Sequence, residues 1–195
     1  MSLIGLLNDT LRPDAIGSIG QRIGADAGTT GNAVSAALPL LIAALARNAA
    51  EPGGAAALTT ALQSDHDGGL LDDIGGVLAR GPGAGAGGML RHILGERQPA
   101  VERGLSETTG LAQSKVGPLL STLAPIVLAG LGRMRQERQL DAGGVRTLLT
   151  AEREHLNGAA PGALAALERF LDHNHYGSVS DDVGSLLGSL FGAGR

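Results

Sequence analysis

The sequence predicts an all-α fold, a multihelical tandem duplication with two proline-kinked central helices. Three observations lead there. Val34-Ser-Ala-Ala-Leu-Pro39-Leu-Leu-Ile-Ala-Ala-Leu-Ala-Arg47 recurs as Leu120-Ser-Thr-Leu-Ala-Pro125-Ile-Val-Leu-Ala-Gly-Leu-Gly-Arg133, with Ser, Pro, Ala, Leu and Arg in register. A second block, Asp65-His-Asp-Gly-Gly-Leu-Leu-Asp-Asp-Ile-Gly-Gly-Val-Leu78, recurs as Asn174-His-Tyr-Gly-Ser-Val-Ser-Asp-Asp-Val-Gly-Ser-Leu-Leu187. Apolar residues follow a helical period almost throughout, and no strand pattern of credible length interrupts them. Repeats of this kind fix architecture, because stacked units bury faces that one unit cannot bury alone.

Residues 1–80 form the first helical repeat, 81–88 a glycine-rich linker and 89–195 the second repeat, as two small domains or one compact domain. Leu3, Ile4, Leu6, Leu7 and Leu11 mark a first amphipathic helix that ends before Pro13. Pro13 opens the second, where a missing N–H does no harm, and Gly24 stops it. Thr29 or Thr30 caps the third, whose stripe is Val34, Leu38, Leu41, Ile42 and Leu45. That helix is apolar nearly all round, so it belongs at the centre. Pro39 removes the hydrogen bond to the Ser35 carbonyl and kinks it, and Pro125 does the same to Ser121 in the other repeat. The two bent helices are expected to cross near a pseudo-twofold axis.

Pro52 starts a short helix through Leu62, and the Asp65–Gly69 turn follows. Asp72 and Asp73 then meet the positive end of the next helix. Beyond the Arg80–Gly88 linker come helices over Met89–Leu94, Pro99–Thr108 with Gly110 as stop, and Ser114–Arg138. Asp141 caps a helix to about His155, Pro161 opens one to Leu171, and Ser180 caps the last.

Composition excludes several functions. With no Cys there is no disulfide, thiolate metal site or cysteine nucleophile. A net charge of −4 argues against a nucleic-acid surface, and Phe170, Phe191 and Tyr176 are too few for base stacking. The densest basic stretch, Arg133–Arg138, contains an acid and reads as a solvated helix end. Small aliphatic side chains and 32 Gly predict modest stability for a lone monomer, or help from self-association. The Met1–Gly5 start shows no secretory leader, so a cytoplasmic location is expected.

The acidic turns come closest to a site. Asp172–Val183 follows the opening of an EF-hand calcium loop, with oxygen donors first and third, glycine sixth and an aliphatic eighth. Tyr176 and Val183 replace two of that loop's acids. Candidate calcium ligands are Asp172, Asn174 and Asp182, with Asp65 and Asp67 in the first copy; the competing reading is a helix corner with acidic capping. His173 and His175 stand two apart, as metal-sharing imidazoles can, but lack a third ligand nearby in sequence other than Asp172.

Other motifs carry less. Gly83–Gly88 fits a dinucleotide fingerprint in letters only, since a helix precedes it where a strand is required. Val116–Gly132 is charge-free at the lower edge of membrane-spanning length, yet its prolines suit a buried core helix better. Ser185 and Ser189 sit on a glycine-rich helix, not on a nucleophile elbow. An enzyme would need a pocket uniting distant residues such as His92, Glu154 and His155.

As a set, these motifs resemble a YidB-like bacterial family of unknown function, DUF 937. The carriers are Leu38-Pro39, Ala124-Pro125, Asp65–Asp73, His92-Ile-Leu-Gly95, Leu140–Gly144 and the Tyr176–Val183 ending with Leu187–Gly192. The resemblance implies an all-helical fold and a bacterial source, and it implies no activity. The functional expectation is a non-enzymatic structural or protein-interaction module that self-associates. A calcium-responsive module is the alternative, and no catalytic set or other cofactor is expected.

Overall fold

The computed structural model describes residues 2–64, 68–81, 83 and 85–159. Every regular element among them is helical. Helix α1 (Leu3–Thr10) begins after Ser2, whose Oγ accepts from the Gly5 N–H at 3.1 Å. Helix α2 (Pro13–Ile23) starts on its proline and ends at Gly24, φ 67°. Helix α7 (Gln98–Thr109) likewise has Pro99 in its first turn and ends at Gly110, φ 73°. A left-handed residue costs an L side chain about 1–2 kcal/mol, so glycine ends both helices.

The long helices are α3 (Ala27–Ala50) and α8 (Gln113–Glu137), and they run unbroken through Pro39 and through Pro118 and Pro125. The cap of α3 differs from the expected threonines. Asp26 holds that position, its Oδ1 accepting from the Thr29 N–H at 2.8 Å, while the buried Thr30 hydroxyl donates back to the Asp26 carbonyl at 2.7 Å. An aspartate one turn ahead reaches the free amides, whereas Thr30 lies one turn inside.

The other boundaries shift by small amounts. Helix α4 is Gly54–Ser64, because Glu51–Gly53 turn first, with φ 77° at Gly53. A 3-10 turn, Gly69–Asp73, leads into α5 (Ile74–Arg80). Helix α6 (Ala86–Leu94) takes in the last glycines of the expected linker. Burial of Ala86, Leu90, Ile93 and Leu94 outweighs their helix penalty of about 0.5–1 kcal/mol each. Helix α9 (Ala142–Ala159) is capped as expected, with Asp141 Oδ1 accepting from the Gly144 N–H at 2.8 Å.

Helices α3 and α8 pack on each other at the centre. Leu40, Leu41 and Ile42 of α3 and Leu123, Ile126, Val127 and Leu131 of α8 are all fully buried. Around this pair, α3 touches α6, α7 and α9, and α8 touches α1, α2 and α4. Both central helices are long and apolar enough to cross a membrane, but 67% and 72% of their most apolar stretches are buried inside the fold. Core helices have that property. The three aromatics lie outside the described residues, so the packing described here is Leu, Ile, Val and Ala with Met134.

One buried acid ties the ends of this assembly together. Glu152 continues the Val145, Leu149, Leu156 face of α9 and is 5% exposed. Its carboxyl accepts from the Leu3 N–H at 2.7 Å and the Ile4 N–H at 3.5 Å. It satisfies amides that the start of α1 leaves without intrahelical partners, at the positive end of the helix dipole.

Two outcomes follow. Glu152→Ala leaves a buried donor unmatched and lowers stability by about 1–3 kcal/mol in urea unfolding, while Glu152→Gln, which keeps an acceptor, loses less. Hydrogen bonds from the Thr29 backbone and then its side chain hold the Asp26 carboxyl below its ordinary range. Its contribution is therefore present above the unfolded-chain value, about 3.9, and is lost as pH falls through the lower folded-state value. Asp26→Asn should flatten that part of the acid melting profile, measured as melting temperature against pH.

Candidate functional site

Gly68, Asp72 and Asp73 of the first acidic turn lie within the described residues and are engaged in structure. Gly68 is left-handed, φ 101°, and a Cβ there would stand 2.8 Å from Arg133 Cβ and 3.0 Å from Arg133 Cα. Only glycine lets the turn come this close to α8. The Arg133 guanidinium donates from Nη2 to the Gly68 carbonyl at 3.1 Å and also to Asp72 Oδ1. Its side chain is 28% exposed and that of Asp72 71%, so the pair is half in solvent. Such pairs contribute little alone, and the bond to the carbonyl fixes the turn's position.

Asp73 caps α5, its Oδ1 accepting from the Gly76 N–H at 3.0 Å, and it pairs with the exposed Arg80 at 3.2 Å. The two acids of this turn thus cap a helix and bind arginine. The proposed calcium ligands, Asp65, Asp67, Asp172, Asn174 and Asp182, lie outside the described residues, as do His66, His173, His175 and Tyr176. Among the described residues no group of three or more His, Asp or Glu could hold a metal ion.

A second feature is an apolar groove of about 560 Å³ between α3, α4 and α6. Leu45, Ala57, Leu58, Ala61, Met89 and Ile93 supply most of its lining, and Asn48, Glu51 and His92 its polar side chains. Asn48 positions α6 by donating from Nδ2 to the Ile93 carbonyl at 2.9 Å and the His92 carbonyl at 3.3 Å. The volume lies in the range of small-molecule pockets, about 300–1,000 Å³. His92 lines it, whereas Glu154 and His155 are exposed on α9, which does not contribute to the groove. His92, Glu154 and His155 are therefore not brought together around it.

Cationic side chains elsewhere close helix ends. Lys115 Nζ donates to the Gly24 carbonyl at the end of α2. Arg22 donates to the carbonyls of Leu78 and, at 2.7 Å, Ala79 at the end of α5. Sequence reasoning missed these bridges and Glu152. For Glu152 a signal existed, an acid in register with the apolar stripe of its helix. For Lys115 and Arg22 there was none, because their partners are backbone carbonyls distant in sequence. Gly68→Ala should destabilise the chain by about 2 kcal/mol or more, from left-handed strain and crowding against α8, as read by denaturant unfolding.

A family model described as "Bacterial protein of unknown function (DUF937)" matches residues 5–134. No curated protein and no solved structure gives a significant match. The matched stretch runs from α1 through nearly all of α8 and takes in the Gly68–Arg133 contact and the groove. The chain belongs to the bacterial family of unknown function DUF937.

Proposed function

We propose that this chain is a duplicated helical scaffold with two proline-bent central helices, acting as a non-enzymatic protein-interaction module that associates with itself. Element order supports the duplication: α1, α2, α3 and α4 are followed by α6, α7, α8 and α9 in matching order. Pro13 and Gly24 stand at the same offset from Pro99 and Gly110 as Arg47 does from Arg133. Along Val34–Arg47 and Leu120–Arg133 the degree of burial agrees at every aligned pair except Ser35 with Ser121 and Ala36 with Thr122. Pro39 and Pro125 are both half-buried, and each lacks the N–H that would bond back one turn.

The observation that carries the interaction reading is the open apolar groove at α3, α4 and α6. Its lining is mostly aliphatic, with Asn48, Glu51 and His92 as the polar side chains, a composition that suits an apolar helix face. The thin, aromatic-free packing among the described residues gives a second copy something to add.

Size-exclusion chromatography with light scattering tests this. The expected result is a mass above that of one chain at high concentration, falling to one chain on dilution. Leu58→Glu, placed in the groove wall, should give a single chain at every concentration with an unchanged helical signal. A wild-type protein that stays strictly monomeric contradicts self-association. The same sample with millimolar calcium should melt at an unchanged temperature; a rise would instead favour the calcium-responsive alternative.

A further inference from the structure

We infer, on the basis of the self-association proposed above, that the groove receives α4 of a second copy. The two α4 helices lie antiparallel about a twofold axis.

Helix α4 gives the groove Gly54, Ala57, Leu58 and Ala61. They stand at i, i+3, i+4 and i+7, the spacing of a seam that one helix presents to another. Three of the four are small, which lets a second backbone approach to the near end of the usual separation, about 8–10 Å between axes. Within one chain this seam is only partly covered. Ala57 is exposed, and Leu58 and Ala61 are half-buried. On α6, Met89 is half-buried too, and a Cβ added at Gly88 would meet nothing within 4 Å.

Charge selects what enters. From Pro52 to Ser64 no residue is charged, and α4 is the one helix among the described residues that carries no Asp, Glu, Lys or Arg. Such a helix enters an aliphatic groove without stripping water from an ion. Symmetry selects the arrangement. A twofold interface uses the same patch on both copies, so groove and occupant must belong to one surface. Helix α4 meets that condition, since it lines the groove and is also exposed at Ala56 and Thr60. In the pair, α4 of each copy lies between α4 and α6 of the other. Parallel helices would set the two Glu51 carboxylates side by side and align the two dipoles; antiparallel helices avoid both. The axis then passes beside Ala57 and Leu58, the middle of the seam, and assembly closes at two chains.

The chain has no Cys, so one introduced thiol reports where copies meet. Bridging requires two Cα atoms within about 7 Å. Ala57→Cys, beside the axis, should convert most of the protein to a covalent dimer under mild oxidation. Ser64→Cys lies on the same face about 10 Å along the helix, so its two copies stand about 20 Å apart and should stay unlinked. Gly88→Leu fills the groove from α6. It should keep the helical signal and give the mass of one chain in light scattering, at concentrations where wild type gives two. Four results would overturn the inference while self-association stands: no link at Ala57→Cys, a link at Ser64→Cys as ready as at Ala57→Cys, a pair that survives Gly88→Leu, or a mass above two chains. A wild type that is monomeric at every concentration would remove both.

Discussion

The fold depends on two long central helices that the rest of the chain must largely cover. Helices α3 and α8 are apolar around most of their circumference, so each requires the other and a surrounding ring. The shorter helices supply that ring, each laying one apolar face on the central pair. Because the core side chains among the described residues are Leu, Ile, Val and Ala with Met134, each contact is small, and stability comes from the number of close fits. Glycine at Gly68 serves this closeness, letting backbone approach backbone where a larger residue could not.

Polar groups hold the ring in place. Glu152 ties the start of α1 to α9, Asn48 ties the end of α6 to α3, and Arg22 and Lys115 tie the ends of α5 and α2 to distant elements. In each case a side chain satisfies backbone groups that a helix terminus leaves free. Arg133 does the same for a turn. A protein with many short helices has many such termini, and these bridges convert that liability into specific long-range connections. Asp73 caps α5 and Asp72 pairs with Arg133, at the helix start where the sequence places both acids.

Much of this was legible in the sequence, and the exceptions have physical causes. Helix existence and order followed from aliphatic period and from Pro13, Gly24, Pro99 and Gly110, since the constraints those residues impose are local. The α3 cap was misplaced because Thr30 is a good capping residue in isolation, and only the fold shows its hydroxyl buried one turn inside. Helix α6 began earlier than expected because burial of Ala86 and Leu90 overrode the glycine signal. The groove was not legible, because it is made by the spacing of α3, α4 and α6 and by no motif. The arginine contact was half legible: the repeat marked Arg133 as the counterpart of Arg47 and Asp72 as that of Asp181, and only coordinates could join Arg133 to Asp72.

Native-state hydrogen exchange measures the central dependence most directly. If each middle helix is held by the other, the amides of 40–45 and 126–131 open only with the whole molecule, at one common free energy equal to that of global unfolding. Should one of these stretches exchange through an opening far below that value while the other stays protected, the two helices are not mutually required, and the account fails.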